Sequence, residues 1–231
     1  REVVVILLFN REENLIGTLK DLIDVKHTEE INGINTLEII TSTTQEIKKD
    51  YRIIYKDIYG NWHEFIVKGI EESKDNGIIK ELFCESSFYE TTGDYIEDKR
   101  PQGTANSALE VALQPTRWQV GIVDDLGTNR TNFYHVNSKT AVHKVIETWK
   151  GEMRTRITVS GNIITGRFVD LFSKRGHDLG KRFTYTKDLD TVTRTIHRDD
   201  VITALYGYGK GEEIEDEEGN STGGYGRRID F

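Results

Sequence analysis

Two short turns constrain this chain more than any other feature. Gly60-Asn61 and Asn76-Gly77 each separate runs rich in Ile, Val, Tyr and Phe. Glycine and asparagine tolerate the positive φ angles that a tight hairpin of the right twist demands. The segments "YRIIYKDIYGNWHEFIVKGIEES" and "ESKDNGIIKELFCESS" therefore predict a meander of three consecutive strands. In the first strand Tyr51, Ile53 and Tyr55 share one face, and Arg52, Ile54 and Lys56 share the other. Neither face is cleanly polar, which predicts a closed or two-sided sheet, such as a barrel, over an open sheet with one wet face. The apolar run Val3 to Phe9 adds a buried strand, being far shorter than the roughly 20 residues a membrane-spanning helix needs.

The pattern changes after Lys99. "KRPQGTANS" carries one of only two prolines and marks a domain boundary. A helix follows, capped by Thr104 or Asn106, with Ala108, Leu109, Val111, Ala112 and Leu113 apolar and the pattern stopping before Pro115. "RWQVGIVDD" reads as a strand with Trp118, Val120 and Ile122 on one face. A second helix, capped by Asn137 or Ser138, repeats Val142, Val145, Ile146 and Trp149 at helical spacing and packs that face on a sheet. That sheet comes from a hairpin reversed at Ser160-Gly161-Asn162. The expected fold is α+β and mostly β: a β-barrel domain over 1–98, an α+β domain over 99–200, and over 201–231 a crossing strand and acidic loop leading toward a second barrel.

Several groups invite a chemical reading. "VITALYGYGKG" sets Lys210 among Gly207, Gly209 and Gly211, but a phosphate loop needs a different spacing and a hydroxyl after the lysine, where this chain has Gly211, Glu212 and Glu213. The glycines read instead as a strand end that turns sharply. His197, Asp199 and Asp200 offer metal or acid/base ligand types, but His197 and Asp199 share one side of a strand while Asp200 points away, so a solvated turn is expected. His135 and His143 form no H-E-x-x-H pair, and Asp124 and Asp125 read as turn residues before Gly127. Cys84, the single cysteine, lies in strand-like "ELFCESS" and reads as a small buried side chain; a nucleophile would need a partner histidine, for which His63 and His135 are candidates that no spacing singles out. Trp118 and Trp149 occupy expected core faces, which leaves Trp62, beside a hairpin turn, as a candidate sugar-stacking residue. No residue is assigned to a catalytic, cofactor or metal site, and no cofactor is expected. A formal net charge of −8 opposes nucleic-acid binding in the absence of any basic run. A chain that starts at Arg1 rather than methionine reads as a piece of something longer.

The order of the blocks "ILLFNREENLIGTLKD", "ALEVAL…RWQVGIVDD", "AVHKVIETWKGEMRTRITVSGNIITGRF" and "KRGHDLGKRFTYTKDLDTVTRTIHRDDVITALYGYGKG" resembles the amino-terminal region of prophage minor structural proteins. These are the tail-associated, or prophage endopeptidase tail, proteins of siphophages of Gram-positive bacteria. The resemblance implies a fold similar to the baseplate hub of contractile tails, with tail-tube-like barrel domains and a smaller α+β domain between them. It implies a homotrimeric ring in the virion tail tip that continues the tail tube, joins the distal tail protein, meets the tube and tape-measure proteins, and passes genome DNA without specific binding. A net negative charge suits such a channel. No membrane insertion is expected. A peptidase or cell-wall hydrolase is the alternative, its activity expected in a carboxy-terminal extension; a host-surface binding module is the second alternative.

Overall fold

The computed structural model describes residues 5–74, 77–176, 180, 182, 184, 213–215 and 221–225. In chain order these form β1 (Ile6–Phe9), β2 (Leu15–Thr18), β3 (Leu22–Glu29), β4 (Asn35–Thr41), β5 (Arg52–Lys56), β6 (Trp62–Lys74) and β7 (Ile78–Ser86), then a 3₁₀ turn (Ser87–Thr92). After it come β8 (Ile96–Lys99), β9 (Gln102–Thr104), α1 (Ala105–Leu113), β10 (Gln119–Val123), β11 (Thr128–Arg130), β12 (Phe133–Val136), α2 (Ser138–Trp149), β13 (Glu152–Ser160) and β14 (Ile163–Phe172). The chain divides into two units, Arg1–His177 and Asp178–Phe231. In the second, β15 (Glu213–Glu215) pairs antiparallel with β16 (Ser221–Tyr225). An expected division at 98/99 falls inside β8, within the first unit.

The expected meander is present: β5 pairs with β6 and β6 with β7, both antiparallel. The first turn is wider than a two-residue loop. Asp57 closes it against Asn61, its carboxylate Oδ1 accepts from the backbone N–H of Tyr59 (2.9 Å) and Asn61 (2.8 Å), and Gly60 supplies the positive φ of 89°. Gly77 follows β6 at φ 147°, while Asn76 lies outside the described residues.

Ten strands share one curled, largely antiparallel sheet that forks at β6. One edge of β6 carries β5, then β1 and β2. Its other edge is divided: Trp62 meets Ile157 of β13, which leads to β14 and β10, whereas Phe65 onward meets β7, which leads to β4 and β3. Only the β10/β14 neighbours run parallel. The expected closed barrel is thus corrected to a half-barrel, because β2 and β3 do not pair with each other. Side chains satisfy the corner between them instead. Thr41 Oγ1 donates to the Lys20 and Asp21 carbonyls (2.8 and 3.0 Å), and Gln45 bridges the Thr18 carbonyl and the Lys20 N–H (3.1 Å each).

The two-sided character read from the residues holds. Ile53 and Tyr55 of β5 join Ile6, Leu8, Leu37, Ile39, Phe65, Val67, Leu82 and Cys84 in the core inside the curl. Ile54, between them in sequence, faces the opposite way with Phe9 into a second core. That core holds Ala108, Leu109 and Ala112 of α1, Val142, Val145, Ile146 and Trp149 of α2, and Ile157, Val169 and Leu171 of β13 and β14. Both helices begin at predicted caps: Thr104 Oγ1 accepts from Ser107 N–H at 3.3 Å and Asn137 Oδ1 from Thr140 N–H at 2.8 Å. Beyond Val120 the expected face of β10 fails. The register with β14 shifts between Val120 and Val123, and Ile122 stands exposed instead of sharing a face with buried Trp118.

Candidate functional site

Three strands, β5, β6 and β14, bring charged residues together with others from the β1–β2 turn, the 3₁₀ turn and the α1–β10 loop. Glu64 of β6 is fully buried and receives Arg52 Nη1 at 2.9 Å, Arg167 Nε at 2.7 Å and Nη2 at 2.8 Å, and the Ser87 hydroxyl at 2.8 Å. Arg52 reaches on to Glu90 (2.8 Å), and Arg167 to Glu13 (2.8 Å) in the β1–β2 connection. Arg117 closes the ring by pairing with both Glu13 and Glu90. Three carboxylates thus face three guanidinium groups. Burial alone would push the Glu64 carboxyl up, but Arg167, Arg52 and Ser87 outweigh it and hold it below the usual range; Glu13 follows the same logic with Arg167 and Arg117. Carboxylates held ionised by arginine partners make poor proton donors or acceptors near neutrality. The chemistry this clasp supports is fastening.

A second cluster centres on Asp170 of β14, also buried. Its Oδ2 accepts from Arg154 Nη2 at 2.7 Å and Arg156 Nε at 2.8 Å, and its Oδ1 from the Ile122 N–H at 2.7 Å. Burial opposes ionisation, yet Arg156, the Ile122 N–H and Arg154 carry the Asp170 pKa below its ordinary value. Asp170 thereby supplies the acceptor for an N–H freed by the β10 irregularity. A β-carbon on Gly121 would lie 2.0 Å from Asp170 Oδ1, so only glycine fits beside it.

A third group lies among β3, β5 and β6. The His63 Nε2–H donates to Asp57 Oδ2 at 2.8 Å, the His27 Nε2–H donates to Asn35 Oδ1 at 2.9 Å, and Tyr55 Oη pairs with His27 Nδ1. The two imidazole centroids are 5.2 Å apart. Burial lowers the His63 pKa against the opposing pull of Asp57. The pair of His63 and Asp57 has the geometry of an oriented base, but no hydroxyl or thiol nucleophile is bonded to His63 among the described residues.

Cys84 is fully buried in the inner core, its thiol pushed up to about 12 by burial, and neither His63 nor His135 bonds to it. His135 pairs with Tyr95, and His143 stands on α2, where burial and Lys139 lower its pKa. Asp124 accepts from the Ser173 N–H (2.8 Å) and Asp125 from the Gly127 N–H (3.0 Å), the latter the expected turn role. Trp118 and Trp149 are core residues; Trp62 is half-buried with Lys56 Nζ 5.9 Å over its ring. His197, Asp199, Asp200 and the Gly207–Gly211 stretch with Lys210 lie outside the described residues. Among the described residues no group of three His, Cys, Asp or Glu side chains is disposed to hold a metal. Sequence reasoning singled out none of Glu13, Glu64, Arg167 and Asp170. The available signal was a charge inside an otherwise apolar strand, as in "RIIY", "WHEFIV" and "FVDLF".

Residues 94–165 match the family model of the prophage endopeptidase tail domain. The prophage tail protein gp18 of Listeria monocytogenes EGD-e is similar in fold, with a TM-score of 0.56 at 13% identity over 98% of this chain and 67% of that one. A prophage MuSo2 tail protein of Shewanella oneidensis (TM-score 0.47, 13% identity, 71% of this chain and 52% of that) and a tail protein of Neisseria meningitidis MC58 (0.47, 10%, 72% and 50%) are similar at lower scores. The chain spans about half the length of these last two. No curated protein matches it. The resemblance to prophage tail proteins drawn from the order of sequence blocks is met by the family model over residues 94–165 and by the fold of the Listeria protein.

Proposed function

We propose, from a chain whose residues 94–165 carry the prophage endopeptidase tail domain, that this protein is a structural part of the phage tail. The observation that carries the reading is the fold likeness to the Listeria prophage tail protein along 98% of the chain. In this reading it is a hub at the tail tip, three copies closing a ring that continues the tail tube and joins the distal tail protein. The clasp supports it: a seam of paired charges and two cores on either side of one sheet suit a body that bears load rather than one that turns over substrate.

Light scattering tests the ring, on the chain alone and mixed with the distal tail protein of the same prophage. A mass of three copies, alone or with the partner present, is expected; a monomer under both conditions overturns the ring.

A further inference from the structure

Tyr95, Tyr134 and His135 stand together on the surface where β12 pairs with β8. Both tyrosines are 60% exposed. Tyr95 Oη pairs with His135 Nδ1, the two rings lie 6.0 Å apart and tilted by 37°, and Tyr134 meets His135 edge to face at 4.3 Å. His135 holds a φ of 48°, a left-handed conformation unusual for a non-glycine residue within a strand, and one that persists where the surroundings fix it. The Tyr95 and His135 rings, tilted by 37°, therefore form a platform with Tyr134 set edgewise against it.

Tyr95 also opens a cleft of about 360 Å³ between β8 and the end of α1, with Glu97, Asp98, Lys99, Val111 and Gln114 on its walls. Asp98 is paired with Arg100. The side chains of Glu97, Lys99 and Gln114 make no hydrogen bond or ion pair among the described residues, so their donors and acceptors face whatever enters.

We propose that this platform and cleft bind a pyranose sugar unit of a glycan. A pyranose ring has an apolar C–H face that rests on aromatic rings and a rim of hydroxyls that carboxylate, ammonium and amide groups engage. An apolar protein knob in the same cleft would bury Glu97, Lys99 and Gln114 without partners, which disfavours it. The inference goes beyond the tail role and does not depend on ring formation.

The test is NMR of the His135 ring protons while the folded chain is titrated with galactose, rhamnose and the trisaccharide of N-acetylglucosamine. Saturable shifts are expected with at least one sugar. His135→Gly removes the ring while suiting a positive φ, and serves to assign the signal; with Tyr134→Ala, followed on the tyrosine resonances, it should raise the half-saturating concentration at least about tenfold. Tyr59→Ala, on a separate hairpin, should leave the titration unchanged. No shift with any of the three sugars up to on the order of 100 mM, or tyrosine shifts that persist in both variants, overturns the proposal. It is also overturned, in favour of a subunit contact, if Tyr134→Ala changes the mass in light scattering while the sugars stay inert.

Discussion

Replacing Glu64 by glutamine keeps its shape and removes its charge, leaving Arg52 and Arg167 facing each other across a buried site. Breaking such a buried pair costs about 3–5 kcal/mol, even though the intact pair adds little net stability over apolar residues of the same size. Urea unfolding of Glu64→Gln should show a loss of that order. Acid tests the same clasp. Glu64, Glu13 and Asp170 have folded pKa values below their ordinary 4.5, 4.5 and 3.8, so their stabilisation is complete above those values and lost as pH falls through the lowered ones. His63, lowered from 6.5 by burial, adds a contribution that is complete above 6.5 and declines as pH falls from there. Tm should thus soften below about pH 6.5 and drop steeply below about 4.5, with the acid limb shallower in Glu64→Gln. The pairing itself was not legible beforehand, because Glu13 and Arg167 meet across 154 positions and nothing local marks one as the partner of the other. The burial of Cys84, by contrast, was legible, since its neighbours already place it inside a strand.

At the level of elements, Asn137→Ala should remove the acceptor for the Thr140 N–H and cost about 1 kcal/mol, read as a shift in urea midpoint at unchanged slope. Gly121→Ala should cost about 1–3 kcal/mol or more, since its methyl cannot share space with the Asp170 carboxylate and the Ile122 N–H would lose its acceptor. Both helices, their caps and the 160–163 hairpin were readable because each depends on neighbours a few residues away. Gly161 takes the positive φ of 59° that its turn requires. The face of β10 was not readable past Val120. Alternation assumes an unbroken ladder, and the acceptor that stabilises the break stands on β14, 48 residues further on. Barrel closure was misread for a similar reason: alternation on β5 reports that both its faces are covered, not whether β2 and β3 meet.

For the first unit as a whole, the forked sheet joins the halves that the composition shift at Lys99 separates. Beyond the clasp, Asn32 in the β3–β4 turn donates to the Gly151 carbonyl (3.0 Å) and accepts from the Met153 N–H (2.7 Å), and Arg175 reaches Glu29 (2.8 Å). A fragment of residues 1–98 should therefore show no cooperative urea transition, while 1–177 should unfold in one step; a cooperative transition in the shorter fragment would instead support independent folding of the first segment. The fork at β6 also sets a schedule. Glu64 waits for an arginine 103 residues downstream, and at roughly 5–20 residues per second a ribosome takes on the order of 5–20 s to deliver it. During synthesis the nascent half-barrel therefore carries an acid that has Arg52 but not yet Arg167, and an open strand edge at the same place, so the interval before β14 emerges is when a chaperone has most to shield.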